Sequence, residues 1–254
     1  MTQQDKAAAF RVLHVPGTPL VLFNAWDAGS AKAVAKSNAA AIATGSWSIA
    51  ASNGLPDGEK VDRSLHLKTI ESIAGAVDLP VTGDLESGFS QQPEGVGETV
   101  RLAIEAGAIG CNLEDSFPAD GSLRPAEDAV ERYRAARAAA DAALPGFFIN
   151  ARTDVFFQRP ADEHSMEMVE EALERGRAYA EAGADGLFVP FVTDLDLIRA
   201  LPERSPLPLN VMRMSPEPSI AQLAATGVAR ISHGPYPYIL AMDTLERAAR
   251  ENRA

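Results

Sequence analysis

Eight short apolar runs, each followed by a segment with helical spacing of apolar residues, constrain the fold of this 254-residue chain more than any other feature. A strand followed by a helix, eight times in a chain of this length, predicts an α/β fold, a (β/α)₈ TIM-type barrel. An extra helix is expected at 3–13, before the first strand. The runs occupy residues 19–27, 40–46, 79–86, 108–115, 146–154, 186–190, 208–212 and 229–234.

A short internal repeat supports the barrel. EAGAIG at 105–110 and EAGADG at 181–186 each end a helical segment with glycine and lead into a strand, which is typical of one recurring helix-to-strand turn. An open, doubly wound sheet is the alternative, but no glycine-rich nucleotide fingerprint follows any of the strands. Because no linker or composition break divides the chain, we expect residues 1–254 to form a single domain.

The charge balance and the hydropathy pattern restrict the partners. Thirty-five acidic against 23 basic side chains give a net charge of −12, which opposes binding to nucleic acid or to an anionic membrane surface. The first residues contain no apolar core of signal-peptide length, and no later run approaches the ~20 apolar residues of a membrane span. We therefore expect a cytoplasmic protein that binds neither nucleic acid nor membranes.

Cysteine and lysine usage excludes two kinds of chemistry. Cys111 is the single cysteine, so an internal disulfide and a cysteine metal cluster are both excluded. Its position has the parity opposite to Glu114, which predicts a buried structural thiol. A Schiff-base aldolase is excluded as well, since no lysine is available on the later strands. All five lysines lie in the first third of the chain: Lys6, Lys32, Lys36, Lys60 and Lys68.

Polar residues collect where the predicted strands end. In a barrel of this kind, the strand ends and the loops that follow them build the active site. We therefore take these residues as candidates for that site. In strand order they are Asn24 and Asp27; Thr44, Gly45 and Ser46; Asp84 and Glu86; Glu114 and Asp115; Asn150, Arg152 and Asp154; Asn210; and His233.

The carboxylates among these candidates indicate a metal site. Side chains alternate faces along a strand, so Asp84 and Glu86 should share the barrel-interior face, as should Glu114 on the next strand. Carboxylates that converge in one pocket repel each other unless a cation or protons intervene. Oxygen donors with no histidine nearby suit Mg²⁺ or Mn²⁺. The alternative is that Asp84 and Glu86 cap the next helix or pair with arginines.

Four motifs in this order resemble the strand-end motifs of the isocitrate lyase and phosphoenolpyruvate mutase superfamily. They are TGSWSIAASNGLPDGE (44–59), VTGDLESGF (81–89), GCNLEDS (110–116) and FINARTD (148–154). NAWDAGSA, GLFVP, PLNVM and ARISHGP extend the resemblance over most of residues 19–235. The resemblance implies a metal-dependent barrel that acts on small 2-oxo or 2-hydroxy carboxylates through a pyruvate enolate-like species.

The resemblance also implies roles for single residues and an assembly. Family members commonly form dimers or tetramers, so a homodimer or homotetramer is expected, with a small anionic carboxylate as substrate. The residues that match the Mg²⁺ ligands of the family are Asp84, which would bind the ion directly, and Asp57, Glu86 and Glu114, which would hold it through water. The residues that match the substrate contacts are Thr44, Gly45 and Ser46, through their backbone, and Arg152, through its charge.

The loop after Glu114 departs from the family pattern. Isocitrate and methylisocitrate lyases carry a KKCGH-like loop with an acidic cysteine, and phosphonomutases and phosphonopyruvate hydrolases use a lysine and an asparagine there. Here the loop reads DSFPADGSLRPAEDAVERY and contains no lysine, cysteine, histidine or asparagine. Both of those chemistries therefore lose an expected group. Arg124, within this loop, is expected at the surface, with a substrate contact as the alternative.

The chemistry that remains is carbon–carbon cleavage that needs little beyond the metal. In decarboxylation of a 2-oxo-dicarboxylate such as oxaloacetate, Mg²⁺ acts as a Lewis acid for the developing enolate. Arg152, Asp57 and Glu114 are the expected catalytic residues, with Arg152 binding an acidic group and Asp57 or water protonating the enolate. The alternatives are a substituted-malate lyase of methylisocitrate type, a phosphoenolpyruvate or carboxyphosphonoenolpyruvate phosphonomutase, a class II aldolase and a non-catalytic binder.

Several further residues have two interpretations. Asn210 and His233 are candidate substrate contacts, although the SHGP segment could equally be a turn. Trp26 and Trp47, each beside a strand end, either wall the pocket or pack under a loop; Trp47 is kept as a substrate-binding candidate. The remaining histidines fall on helices or their edges and are expected to be solvated: His14, His66 and His164.

Overall fold

A computed structural model describes residues 1–253 and contains eight parallel strands with helices around them. The strands are β1 (Leu20–Leu22), β2 (Ile42–Ala43), β3 (Val81–Asp84), β4 (Gly110–Glu114), β5 (Phe148–Arg152), β6 (Gly186–Val189), β7 (Leu209–Met212) and β8 (Arg230–Ser232). The helices are α1 (Gln3–Arg11), α2 (Ala28–Ala35), α3 (Ser46–Ser52), α4 (Arg63–Ala74), α5 (Pro93–Glu105), α6 (Ala126–Ala143), α7 (Met166–Glu181), α8 (Leu195–Ala200), α9 (Ile220–Ala224) and α10 (Tyr236–Glu251).

The strands follow one another around a nearly closed barrel. Their order is β1-β8-β7-β6-β5-β4-β3-β2, and every pair in it is parallel. The two end strands meet through a bridge between Ala25 and Thr44, where the Ala25 N–H donates to the Ala43 carbonyl at 2.8 Å. The predicted (β/α)₈ barrel is confirmed. The open-sheet alternative is wrong, because an open sheet would have two separate edge strands, whereas here the two end strands contact each other.

The repeated helix-to-strand turn has the predicted glycine conformation. Gly107 follows α5 with φ 96°, and Gly183 follows α7 with φ 99°, both in the left-handed region that favours glycine. β4 and β6 each begin three residues after this glycine. The two turns therefore lead two strands, which β5 separates, into the sheet in the same way.

The strands separate an apolar layer under the helices from a polar layer inside the barrel. On β4, Cys111 and Leu113 are fully buried toward the helices, which confirms the predicted structural thiol, and burial raises the pKa of Cys111. On the other face, the Asn150 amide donates to the Asn112 side-chain oxygen at 2.9 Å. Polar residues thus fill the barrel interior below the strand ends.

Arg230 is the largest fully buried side chain of this interior layer. Its guanidinium donates to Asn112 Oδ1 at 3.2 Å and to Ser232 Oγ at 3.3 Å, so it links β8 to β4 across the barrel. At the amino end, Phe10 of α1 lies 5.9 Å from the same guanidinium. The predicted N-terminal helix is confirmed, and it closes the barrel floor with its buried Phe10.

The predicted solvation of His14 and His66 is wrong. His14 stacks on Phe148 with ring centroids 4.1 Å apart, and its Nδ1 lies 3.0 Å from the Phe10 carbonyl. His66, on α4, is fully buried with Nε2 2.6 Å from the Asp84 carbonyl. Both rings are covered by partners from distant segments, which the spacing along their own helices does not reveal.

No helix within residues 1–253 combines the length and the apolar character needed to cross a membrane.

The buried imidazole of His14 should make the protein acid-sensitive. Burial, and then the charge of Arg230, lower the pKa of His14 to about 3, so the folded protein keeps the ring neutral where the unfolded chain protonates it. Stability is therefore lost as the pH falls from about 6.5 toward 3, by roughly 1–2 kcal/mol at pH 5. Urea unfolding at pH 7.5 and pH 5 should show a smaller acid loss in His14→Gln than in the wild type.

The matched control is His164→Gln, at the opposite end of the barrel, which should leave the acid loss unchanged. An equal loss in His14→Gln and the wild type would contradict this account.

Candidate active site

A cavity of about 580 Å³ opens at the carboxyl ends of the strands. Its wall includes residues contributed by β2 through β5 and the loops that follow them. The structure therefore brings together most of the residues that the sequence predicted for a site. Those that line the cavity are Asn24, Gly45, Ser46, Trp47, Asp57, Asp84, Glu114, Arg152 and Asp154.

Asp84 lies at the end of β3 and is fixed through both backbone and side chain. Its N–H donates to Thr44 Oγ1 at 2.8 Å, and its Oδ2 accepts the Ser46 N–H at 3.0 Å. The buried His66 ring contacts its carbonyl from below. Thr44 is thus placed behind Asp84 and does not line the cavity, whereas Gly45 and Ser46 do.

Glu86 does not continue the strand face of Asp84, so the predicted parity is wrong at this residue. The chain leaves β3 at Asp84, and Glu86 has φ 49°, in the left-handed region, where strand alternation no longer applies. Its Oε2 accepts the Glu59 N–H. Glu86 therefore reaches across to the loop that carries Asp57 and does not line the cavity.

Glu59 completes a contact in the other direction. Its Oε1 accepts the Ser87 hydroxyl and the Phe89 N–H, both at 2.7 Å. We call Glu59 and Glu86 together the glutamate latch, because each holds the other's loop. The latch joins residues 57–59 to residues 86–89 and so positions Asp57 opposite Asp84. No pattern in the sequence pointed to Glu59.

The carboxylates of this region repel one another in a poorly solvated place. Burial and the charge of Asp84 raise the pKa of Asp57, and burial and the charge of Asp57 raise the pKa of Glu86 to about 8. Burial also raises the pKa of Glu114 well above its usual range, in spite of the neighbouring Arg152. In each case burial, together with neighbouring carboxylates, disfavours the anionic form.

Arg152 supplies part of that positive charge. Its Nη1 lies 2.8 Å from Glu114 Oε2, while Nε and Nη2 form a bidentate pair with Asp154 at 2.7 and 3.0 Å. The two carboxylates raise the pKa of Arg152 well above its usual value against the effect of burial. The guanidinium lines the cavity with its orientation fixed by these protein carboxylates.

A layer that the sequence did not predict holds this ion pair in place. Tyr179 of α7 donates to Asp115 Oδ2 at 2.6 Å, and Asp115 Oδ1 accepts the Asp154 N–H at 2.9 Å. Tyr133 of α6 donates to the Leu113 carbonyl at 2.8 Å. The feature of the sequence that could have indicated this layer is the presence of Tyr133 and Tyr179 in helices otherwise rich in alanine and charged residues. Asp115, predicted at a strand end, thus supports the site from behind.

The predicted surface position of Arg124 is wrong. Its side chain is buried, with the guanidinium carbon 4.2 Å from the centroid of the Phe117 ring. The loop folds back on itself through a bridge between Ser116 and Leu123, and the Arg124 N–H donates to the Asp115 carbonyl at 2.8 Å. The polar composition of the loop does not indicate that it folds back and buries Arg124.

The remaining candidates lie at different depths. The His233 N–H donates to Asn24 Oδ1 at 2.9 Å, and its Nδ1 lies 3.0 Å from the Leu22 carbonyl. Asn210 donates to Ser232 Oγ at 3.1 Å. Both are buried and neither lines the cavity. Trp47 does line it, whereas Trp26 packs against the small cluster around Ile49.

The donor set can be tested against a divalent cation. Among residues 1–253, no three Asp, Glu, His or Cys side chains are placed so that they could jointly hold a metal ion. Asp57, Asp84 and Glu114 nevertheless all reach the cavity and offer only oxygen atoms. Their surroundings favour added positive charge. The residues therefore fit a hard cation such as Mg²⁺, which keeps several of its waters and needs only one or two carboxylates as direct ligands.

The comparisons with known proteins agree with this site. Residues 10–253 match the phosphoenolpyruvate phosphomutase family. The 2-methylisocitrate lyase of Escherichia coli (strain K12) is 30% identical over 218 residues, which cover 82% of this chain and 70% of the relative. A crystal structure from Burkholderia cenocepacia J2315, provisionally assigned as a phosphonomutase, is 55% identical with a TM-score of 0.96 and covers 98% of this chain and 99% of that one.

A third relative has ligands in its crystal structure. It is a phosphonopyruvate hydrolase in complex with oxalate and Mg²⁺, 27% identical, with a TM-score of 0.83, and the match covers 100% of this chain and 88% of that one. The resemblance seen in the strand-end motifs is confirmed over nearly the whole sequence. This chain therefore belongs to the phosphoenolpyruvate phosphomutase family, within the isocitrate lyase and phosphoenolpyruvate mutase superfamily of lyases and mutases.

Proposed function

We propose that this protein is a Mg²⁺-dependent carbon–carbon lyase that decarboxylates a 2-oxo-dicarboxylate of the oxaloacetate type. The observation that carries the proposal is the cavity wall, where Asp57, Asp84 and Glu114 face a fixed Arg152. The related phosphonopyruvate hydrolase binds oxalate together with Mg²⁺, and oxalate has the planar shape of an enolpyruvate. Mn²⁺ would suit the same oxygen donors.

The residues of this chain would divide the work as follows. Arg152 would bind one substrate carboxylate, since Glu114 and Asp154 already hold its guanidinium rigidly. Asp84 would be the direct metal ligand, and the Ser46 N–H that it now accepts would be released to the other substrate carboxylate. When bound, the divalent cation would supply Lewis-acid stabilisation of the developing enolate.

The reaction requires one proton at the substrate carbon. The bond between that carbon and the departing carboxylate breaks, CO₂ leaves, and the electron pair stays behind as the enolate. Asp57, whose pKa burial and Asp84 raise, would hold a proton at its carboxyl oxygen and deliver it to the carbon. No protein nucleophile takes part, which agrees with the buried, inert Cys111.

The charge of the wall bears on the alternatives. Arg152 is the one cation among the described residues that line the cavity, beside five carboxylates: Asp57, Asp84, Glu114, Asp120 and Asp154. Arg152 and the Ser46 N–H would bind the two carboxylates of a dicarboxylate, whereas a tricarboxylate of methylisocitrate type would leave its third carboxylate without a binding group. Phosphonomutase chemistry lacks its lysine and asparagine in the loop after Glu114. A dicarboxylate is the better match to this wall.

Assembly and location are also proposals. Leu240 and Leu245 on α10 are exposed to solvent, which supports a homodimer or homotetramer formed through this helix. The dimers and tetramers that the family resemblance implies are the second support. A cytoplasmic location and a single-domain organisation stay predictions.

Replacing the direct metal ligand should abolish turnover. Asp84→Asn removes the negative charge and keeps the size, so pyruvate release from oxaloacetate above the metal-only background should fall at least about 100-fold. The assay compares Mg²⁺ with chelator on a panel of oxaloacetate, substituted malates and phosphonopyruvate. Asp27→Asn, an exposed strand-end carboxylate outside the cavity, is the matched control and should stay active.

Release from a substituted malate alone would move the assignment to a malate-type lyase. Full activity of Asp84→Asn, or no turnover of any compound by protein that binds Mg²⁺, would contradict the proposal.

Opening the glutamate latch should reduce activity more than stability. Glu59→Ala frees the Ser87 hydroxyl and the Phe89 N–H, and leaves the Asp57 loop held only by the bond from the backbone N–H of residue 59 to Glu86. We expect kcat/KM to fall roughly 10- to 100-fold, as for other residues that orient a site from behind. Amide hydrogen exchange should accelerate in residues 53–62. The control Glu71→Ala removes an exposed glutamate of α4; equal effects of the two variants would contradict the latch.

A further inference from the structure

The cavity is larger than a four-carbon dicarboxylate requires. Its volume of about 580 Å³ lies within the ~300–1,000 Å³ typical of pockets for drug-sized ligands. Many of the residues that line it lie outside the group of carboxylates described above. Their chemistry restricts what the rest of the substrate can be.

The wall is divided into two halves of opposite character. The carboxylate half consists of Asp57, Asp84, Glu114, Arg152 and Asp154, from β2 through β5. The apolar half lies around β6, β7 and the start of α10, with one residue from the turn after β5. It consists of Phe157, Phe188, Phe191, Met212, Met214 and Ile239.

Apolar side chains of this half are exposed at the cavity mouth. Phe157 is 50% exposed, Met214 39% and Ile239 36%. Phe157 and Phe191 hold each other, with ring centroids 4.9 Å apart, so the aromatic surface is already ordered. Clustered exposure of large apolar residues around a concave site is typical of a surface that a ligand covers.

The apolar half also excludes a further charged group. Of the described residues that line the cavity, Arg152 is the one cation, and it belongs to the carboxylate half. A carboxylate or phosphate placed against Phe188 and Met212 would lose its hydration without a partner. The part of the substrate that lies there is therefore neutral and apolar.

We propose that the substrate is a 2-oxo dicarboxylate that carries an alkyl or aryl substituent on the carbon between the carbonyl carbon and the departing carboxyl group, and that the apolar half binds this substituent. The inference rests on the proposed function, since the carboxylate half places the reacting carbons. Cleavage leaves the substituent on the product, because the bond that breaks is the one to the departing carboxyl group.

Binding of N-alkyl oxamates tests this inference without requiring turnover. Their carboxylate and amide carbonyl reproduce the planar enolate. The amide nitrogen takes the place of the substituted carbon and carries the alkyl group. Oxamate, N-ethyl-, N-butyl- and N-hexyloxamate are titrated by calorimetry in the presence of Mg²⁺. The dissociation constant should fall about threefold for each added methylene group until the apolar half is filled.

Variants of the exposed wall residues locate the effect. Phe157→Ser and Met214→Ser should reduce the ratio of oxamate to hexyloxamate dissociation constants by about tenfold or more. Leu65→Ser, which removes a leucine of α4 that is 42% exposed and lies outside the cavity, should keep the wild-type ratio.

The outcomes separate this inference from the proposed function. Oxamate binding with no gain along the series, or no binding by any member, would overturn the inference, whatever the activity panel shows. A gain along the series in a protein that decarboxylates nothing would keep the inference and overturn the proposed function. A flat series together with subunit dissociation in Met214→Ser would assign the apolar half to a contact between copies of this chain and overturn the inference.

Discussion

Crowded negative charge at the ends of neighbouring strands is the constraint on which the arrangement of this site depends. Asp57, Asp84 and Glu114 all face one cavity, and burial leaves little water to screen them. Arg152 offsets part of the charge through its ion pairs with Glu114 and Asp154. The excess that remains is what a divalent cation would neutralise. Repulsion among these carboxylates would thereby become affinity for the ion and for an enolate beside it.

The rest of the barrel keeps these charges in place. The fully buried Arg230 joins Asn112 to Ser232 beneath the cavity, so the floor is tied across the barrel. From the sides, the Tyr179 hydroxyl donates to Asp115, and Asp115 accepts the backbone N–H of Asp154, the residue that pairs with Arg152. The glutamate latch sets the Asp57 loop. Because each charged group is oriented by neutral or opposite partners, little reorganisation is left for the moment of binding.

The sequence predicted the features that depend on local periodicity. Eight strands, the N-terminal helix and the polar strand ends follow from alternation and from glycine at Gly107 and Gly183. Glu86 was misplaced because its left-handed backbone ends the alternation. His66 and Arg124 were expected in solvent, and their burial arises from contacts with Asp84 and Phe117 that only the folded chain brings together. Periodicity reports the face of an element and contains no information on which loop returns to cover it.

A crystal of the protein grown with Mn²⁺ and oxalate tests the central claim most directly. The account predicts one anomalous difference peak in the cavity, about 2.1 Å from a carboxylate oxygen of Asp84 and from oxalate, with Asp57 and Glu114 reached through water. The same soak of Asp84→Asn should show no peak there. A wild-type cavity that contains oxalate on Arg152 but no manganese, or an ion bound elsewhere, would contradict the claim that this acidic strand-end cluster is a metal centre.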